Sequence, residues 1–419
     1  MTTAEPPIEL DDSQTLAVDL MTSNRHGLTI ITGGPGRGKT MCLKHALDML
    51  DARGVKYELC SPSGKAAKRM QEATDRESQT IHRLLAYHPE IGFRRCAEWP
   101  LETRVVFMDE SSMLDIELAA AFFTAVKPGR TRVVMIGDVD QLPPVGPGRV
   151  FGDLIDSGLV KTARLTKLHR SAAGSWVAVN APRVLTGGPL DLEPRADFRF
   201  VRVASAVDVA KAVCAVAAEH KADRKRSQVL VPQKAGDAGI ESLNGALQRI
   251  LNPLESVDEL HIRRKKYVLH TGDRVIQTRN DYQRNVFNGE AGEIASMVDG
   301  EIVVDFEEAR GARAVTYSNE ATEALTLAYA LTIHKSQGSE FDHVIAVVHS
   351  SHAHMLSRQL FYTAITRAKK SVTIIGDDKG IKGALSNGRV EKRNTTLIER
   401  LKGELDDVID DSSYEGGAA

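Results

Sequence analysis

The sequence predicts an α/β fold of two tandem domains, each a parallel sheet covered by helices. Three observations predict it. The apolar run Gly27-Leu-Thr-Ile-Ile-Thr32 leads into the glycine-rich stretch Gly33-Gly34-Pro35-Gly36-Arg37-Gly38-Lys39-Thr40, and a helix-patterned segment, Met41 to Arg53, follows. Short apolar strands and helix patterns then keep alternating. A second series appears downstream, with strands at Gln228–Pro232, Leu325–Leu331, His343–Val348 and Ser371–Ile375 and an amphipathic helix at Ile240–Leu251, but with no second glycine-rich loop.

A chain of 419 residues with 42% hydrophobic content has room for two or three cores. No apolar run reaches membrane-spanning length. The start, Met1 to Pro7, lacks the basic and apolar segments of a secretory signal, which points to the cytoplasm. Cys42, Cys60, Cys96 and Cys214 stand far apart without C-x-x-C spacing, arguing against a zinc site or a disulfide framework. A net charge of −2 announces no global attraction to nucleic acid, so such a partner would need a local groove.

In chain order, Leu10 to Gln14 precede a helix pattern from Thr15 to Met21, with Asp12 or Ser13 as its cap. Gln14 stands upstream of the loop, either as a surface amide or as a reader of an adenine edge. In the loop, Gly33 and Gly38 let successive backbone N–H groups curl around phosphate oxygens. Lys39 supplies a point charge and the Thr40 hydroxyl can hold Mg²⁺. The strand Val55–Cys60 ends in Ser61-Pro62-Ser63-Gly64, and Lys65 to Glu72 continues as a helix. Small and basic residues at a strand's carboxyl end suit a phosphate backbone, and a solvated helix face explains Lys65, Lys68 and Arg69 equally well. Thr80 to Leu85, with His82, opens another helix. Tyr87 to Arg95 reads as a small β-hairpin standing out from the domain, broken by Pro89 and Gly92.

Arg104 to Met108 is a central strand delivering Asp109-Glu110. Asp109 can bind Mg²⁺ through water, and Glu110 can orient or deprotonate an attacking water. Thr131 to Ile136 runs into Gly137 to Pro144, where the Gln141 amide is placed to sense a γ-phosphate. The stretch Tyr282 to Glu323 carries the hairpin signals Asn288-Gly289 and Asp299-Gly300 and reads as β-rich.

The blocks Gln14, Gly33–Thr40, Ser61–Thr74, Thr80–Leu85, Asp109–Asp115, Gly137–Val145, Asn180-Ala181, Leu331–Phe341 and Phe361–Lys370 occur in an order that resembles the RecD/Dda-type DNA helicases of superfamily 1, which move 5′ to 3′ on a single strand. The resemblance implies two RecA-like domains, 1–190 and 191–281 with 324–385. It adds a hairpin insertion at 86–102, an SH3-like barrel at 282–323 and a polar tail at 386–419. It also implies that Gly338 and Glu340 contact the nucleotide, with Glu340 on the ribose. Arg170 and Arg367 would then be arginine fingers, and Thr332, His334 and Lys335 would grip DNA beside Ser61, Pro62, Ser63, Lys65, Thr80 and His82.

The function so implied is an ATP- and Mg²⁺-dependent, monomeric motor on single-stranded DNA and duplex junctions, with no membrane partner. Two readings stand beside it: a subunit needing a nuclease, repair or replication partner, and a phosphotransferase that is not a motor. Phe93 is either a wedge that divides the duplex or an anchor of the hairpin to the inserted barrel. The basic runs Lys221–Arg226 and Arg263–Lys266 read as solvated loops. Arg37 stands where the family has a small hydroxyl residue, and His169 and Ser171 replace the family's usual neighbours of Arg170.

Overall fold

The computed structural model describes residues 10–167, 174–223, 225–254, 261–264, 266–281, 283–298, 301–308, 311–388 and 393–404. The chain begins with helix α1 (Asp12–Thr22), whose cap is Asp11 rather than Asp12 or Ser13. Asp11 accepts from the amides of Ser13 and Gln14, and Gln14 closes a reciprocal capping box. The first domain continues with β1 (Leu28–Thr32), α2 (Lys39–Ala52), β2 (Tyr57–Ser61), α3 (Gly64–Thr74), β3 (Gln79–Thr80) and α4 (Ile81–Leu84). Next come the hairpin β4 (Tyr87–His88) and β5 (Gly92–Phe93), then β6 (Val105–Met108), α5 (Ile116–Thr124), β7 (Arg132–Gly137), α6 (Val150–Asp156) and β8 (Lys161–Arg164). Six strands form one parallel sheet in the order β3-β2-β6-β7-β1-β8. Its central strands are buried on both faces, which is why β6 and β7 read as continuous apolar runs.

Helix α7 (Trp176–Thr186) belongs to the second half, which corrects the boundary expected at 190. Its Trp176 ring stacks on Phe198, with centroids 3.8 Å apart and planes 2° from parallel. Ala181 and Val184 share the second domain's core. An amphipathic stripe says that a helix has a buried face, not which sheet it covers.

The second half runs β9 (Phe198–Arg202), α8 (Ala206–Glu219), β10 (Ser227–Val231), α9 (Ile240–Leu251) and the antiparallel pair β11 (His261–Arg263) and β12 (Val268–His270). Then follow β13 (Arg274–Gln277), β14 (Ala291–Val298), β15 (Glu301–Glu308), β16 (Gly311–Tyr317), β17 (Leu325–Leu327) and β18 (Ala330–Thr332). It closes with β19 (Phe341–Val348), α10 (Arg358–Ile365), β20 (Ala368–Gly376), α11 (Asp378–Ser386) and α12 (Leu397–Leu401). The second parallel sheet has the order β18-β10-β19-β20-β9.

The inserted antiparallel sheet, β16-β15-β14-β13-β17, begins at Arg274 and ends at Leu327, wider than the expected 282–323. The run Leu325–Leu331, expected as one strand, divides between this sheet and the parallel one. Both pieces are buried, and apolar content alone does not tell two adjacent sheets apart. One core joins the insertion to α8 and α9 through Val213, Leu247, Val275, Ile294 and Phe306.

The expected tail is structured in part. Helix α12 returns to pack on α6, and Arg393 donates to the carbonyls of Pro144, Gly146 and Gly148. Residues 405–419, Tyr282, and the Asp299-Gly300 turn lie outside the described residues. Among the described residues no helix is long and apolar enough to cross a membrane.

Candidate functional site

The site is built at the carboxyl ends of β1, β6 and β7, where a parallel sheet gathers its ligands. Gly36 and Gly38 have φ of +69° and +87°, a region that side chains avoid. A Cβ at Gly33 would fall 2.9 Å from the Leu165 Cβ, and one at Gly34 would fall 2.8 Å from the Tyr362 hydroxyl. The loop is therefore pressed from both domains and needs glycine at these points.

Helix α2 has Gly38 at its N-cap position, with no side-chain cap and no acidic residue in its first turn. Its first amides and its dipole are open to an anion. Lys39 Nζ lies over the loop and donates to the carbonyls of Gly33 (2.5 Å) and Gly34 (3.2 Å). Thr40 is exposed in the first turn. A cavity of about 370 Å³ opens here, lined by Gly33 to Arg37, Asp140, Thr166, Pro182, Glu340, Tyr362 and Lys369. Its size falls within the range of small-ligand sites. The glycine cradle, the uncapped helix and the lysine together fit a polyphosphate.

Two loop neighbours have definite partners. Gln14 is buried, accepts from the Asp11 amide (3.1 Å) and donates to the Arg37 carbonyl (3.5 Å), bracing the loop from α1. The Arg37 guanidinium donates to the Thr166 carbonyl, tying the loop to the segment after β8.

Asp109 and Glu110 follow β6. Asp109 accepts from the Glu110 amide (2.9 Å), and Glu110 has φ of +52°, a strained value for a non-glycine residue. Burial, and then the Glu110 charge, push the Asp109 carboxyl up to about 6, while Arg69 and Lys39 oppose that shift. Lys39 is therefore within electrostatic reach of Asp109. Gln141 is buried, with its amide donating to Asp138 (3.2 Å). Asp138 also accepts from the Tyr362 hydroxyl (2.9 Å). Burial and Asp138 hold that phenol well above its ordinary value, so it stays a donor. The Leu142 amide donates to the Thr363 hydroxyl (3.1 Å), and Gln337 donates to the Leu142 carbonyl (2.9 Å). The turn carrying Gln141 is in this way knitted to the second domain.

Two residues expected at the nucleotide have protein partners. Arg367 is buried, and its guanidinium donates to the carbonyls of Thr363 and Ser339, both at 3.2 Å. Glu340 pairs with Arg69 at 2.5 Å and Lys369 at 3.7 Å. Arg170 lies outside the described residues.

Of the expected DNA contacts, Ser61 is buried at the end of β2, followed by Pro62, and Ser63 caps α3 through the Ala66 amide (3.2 Å). Gly338, with φ of +71°, sits against them, since a Cβ there would meet Ser63 Oγ and Ala66 Cβ at 3.3 Å. Lys65 lies over the Phe341 ring at 6.0 Å. Phe287 and Glu290 of the inserted domain approach Gly64, so three units converge on this turn. Thr332 is buried and accepts from the Lys335 amide (3.1 Å), with His334 half-buried beside it. Burial, and then Lys234, lower the Lys335 ammonium's pKa. Thr80 caps α4.

Phe93 is half-buried on the hairpin. Its ring packs with Tyr87 (5.0 Å) and His82 (5.5 Å) on the first domain, where burial lowers the His82 pKa. The large apolar side chain exposed at the hairpin turn is Ile91. Sequence reasoning missed the Tyr362–Asp138 bond, the Arg69–Glu340 pair and the Arg393 clamp. Each joins residues more than two hundred positions apart, where no periodicity reports a contact.

Residues 9–205 match the family described as AAA domain, 243–306 the ATP-dependent RecD-like DNA helicase SH3 domain, and 327–375 the UvrD-like helicase C-terminal domain. The chain is 35% identical over 393 residues to the ATP-dependent RecD2 DNA helicase of Deinococcus radiodurans, covering 94% of this chain and 52% of that one. It is 32% identical to the RecBCD enzyme subunit RecD of Mycolicibacterium smegmatis, covering 90% and 73%. The chain thus spans about half the length of the first of these relatives. In solved structures the fold resembles a Pif1 helicase described in the unwinding of forked duplex DNA, with TM-score 0.57, 20% identity and coverage of 95% and 98%. Bacteroides Pif1 bound to single-stranded DNA gives TM-score 0.53, 18% identity and coverage of 95% and 98%.

Proposed function

This chain belongs to the RecD-like DNA helicase family, and from that premise we propose that it is an ATP-driven motor that moves 5′ to 3′ along single-stranded DNA and separates duplexes at junctions. The observation that carries the reading is the cavity between the glycine loop and Tyr362, because its walls come from both domains. A ligand there is felt by both sheets at once.

The roles follow from chemistry. The loop amides and Lys39 hold phosphates, and Glu110 orients the attacking water. Thr40 and Asp109 would hold Mg²⁺, which when bound neutralises charge on the β- and γ-phosphates. Gln141 and Tyr362, joined through Asp138, relate the state of the loop to α10. Arg367 acts as the arginine finger once its guanidinium leaves the carbonyls of Thr363 and Ser339. The turn Ser61–Lys65 and the segment Thr332–Lys335 are the two grips on the strand. A change in cleft opening alters their spacing, which is how hydrolysis becomes stepping. Opening a base-pair step costs about 1.4 kcal/mol, and one stacked base returns about 1 to 3 kcal/mol. A few contacts at the junction therefore decide unwinding.

The test uses the full chain with ATP, Mg²⁺ and duplexes tailed at either the 5′ or the 3′ end. Unwinding from the 5′ tail alone is expected, and unwinding from the 3′ tail would overturn the polarity. Arg367→Ala is expected to lower the stimulated ATPase by about 10³- to 10⁵-fold with the fold retained. The RecBCD-subunit name of the mycobacterial relative favours a second reading, a motor needing partner proteins. DNA-stimulated ATPase without strand separation would select it.

A further inference from the structure

The Glu110 carboxylate is the group that must be aimed at water, yet it starts from a strained backbone. Among the described residues its side chain has one ion pair, with Arg69 at 4.0 Å. The same guanidinium is 2.5 Å from Glu340, across the cleft on the second domain. Glu340 has a second cation, Lys369, at 3.7 Å. The distribution is uneven: two cations serve Glu340, and Glu110 shares one of them. If Lys369 takes up Glu340, Arg69 is released toward Glu110 without leaving a carboxylate uncompensated. Exchange of that kind needs only a movement of roughly an ångström, within the difference between a close charge-assisted bond and a loose pair.

Arg69 is also placed to sense the strand. It lies on α3, six residues and about 1.7 turns past the Ser63 cap. Gly338 of the second domain lies against that cap, and Phe287 of the insertion lies beside the next residue, Gly64. A rigid helix therefore joins the expected DNA grip to the guanidinium beside the hydrolytic carboxylate.

We propose that Arg69 is a positioning residue that couples strand grip to hydrolysis, sharing its guanidinium between Glu110 on one domain and Glu340 on the other so that Glu110 is aimed when α3 and the cleft come into register. The proposal rests on the motor reading above. Arginine suits the task because its planar fork serves two carboxylates at once, which a lysine ammonium does less well.

The experiment compares wild type, Arg69→Ala and Arg69→Lys. ATPase is measured with and without oligothymidylate, and backbone amide exchange at Glu110 to Met113 is followed in nucleotide-free protein. For Arg69→Ala, the DNA-stimulated kcat is expected to fall by about 10²-fold, with the KM for ATP changed little, partial recovery in Arg69→Lys, and faster exchange at Glu110 to Met113. A full stimulated rate in Arg69→Ala overturns the proposal. So does unchanged exchange, or a loss matched by global destabilisation in thermal melts and not recovered by lysine. A wild type that DNA fails to stimulate would sink the motor reading instead, and the exchange measurement would still decide whether Arg69 holds the Glu110 segment.

Discussion

The two parallel sheets contain the same unit twice and use it differently. In the first, β1 leads through a glycine loop to α2; in the second, β9 leads through a short turn to α8, and both helices are 14 residues long. Strand order extends the correspondence, because β2, β6, β7 and β1 occupy the places of β10, β19, β20 and β9, with β8 alone lacking a counterpart. The difference lies at the helix start. Helix α2 has Gly38, no side-chain cap and no acid in its first turn, whereas α8 is capped by Ser205 and carries Asp208. An uncapped N-terminus keeps its amides and dipole for an external anion; a capped, acidic one spends them internally. The fold alone does not make a phosphate site.

The largest test of this contrast removes the charge that completes the first loop. Lys39→Ala is expected to lower ATP hydrolysis by at least about 10³-fold while circular dichroism stays unchanged. Activity surviving that change would mean that the second sheet, or some other site, handles nucleotide.

The same contrast explains what the sequence made legible. The loop, the Asp109-Glu110 pair and Gln141 were readable because each follows a buried strand within a few residues. The second domain's share was readable only through motif resemblance. Nothing local predicts that Tyr362 reaches Asp138 or that Glu340 pairs with Arg69, because burial and pairing across a cleft follow from tertiary packing. Phe93 illustrates the converse: an aromatic beside a turn reads as a blade or an anchor, and its packing with His82 and Tyr87 is a contact that no local pattern reports.

Corresponding strand ends sharpen the comparison. After β6 stands Asp109, a carboxyl pushed up to about 6 beside the site; after β19 stands His349, followed by His352. Burial, with the charges of His349 and His354, pushes His352 down to about 4. A histidine with a lowered folded-state pKa stays neutral in the fold, while the unfolded chain protonates near pH 6.5. Stability is therefore intact above pH 6.5 and is lost as pH falls from 6.5 toward 4, by up to about 3 kcal/mol. Urea unfolding from pH 7 to 4.5 checks this, with His352→Gln expected to flatten the slope. An unchanged slope would assign the acid sensitivity to other groups.

The smallest effect is the most discriminating for the two helix starts. The Ser205 hydroxyl accepts from the Val207 amide at 3.4 Å, and Asp208 adds a carboxylate to the same turn. Ser205→Ala removes the cap and leaves the acid, so the exposed amides still face negative charge and no lysine stands ready to hold a phosphate. The expected outcome is a loss of about 1 kcal/mol in stability, with the ATPase rate and a stoichiometry of one nucleotide per chain unchanged. Denaturation and equilibrium nucleotide binding measure the two halves separately. A lower ATPase rate at full stability would mean that the start of α8 takes part in the nucleotide cycle, and the two units would then differ in degree rather than in kind.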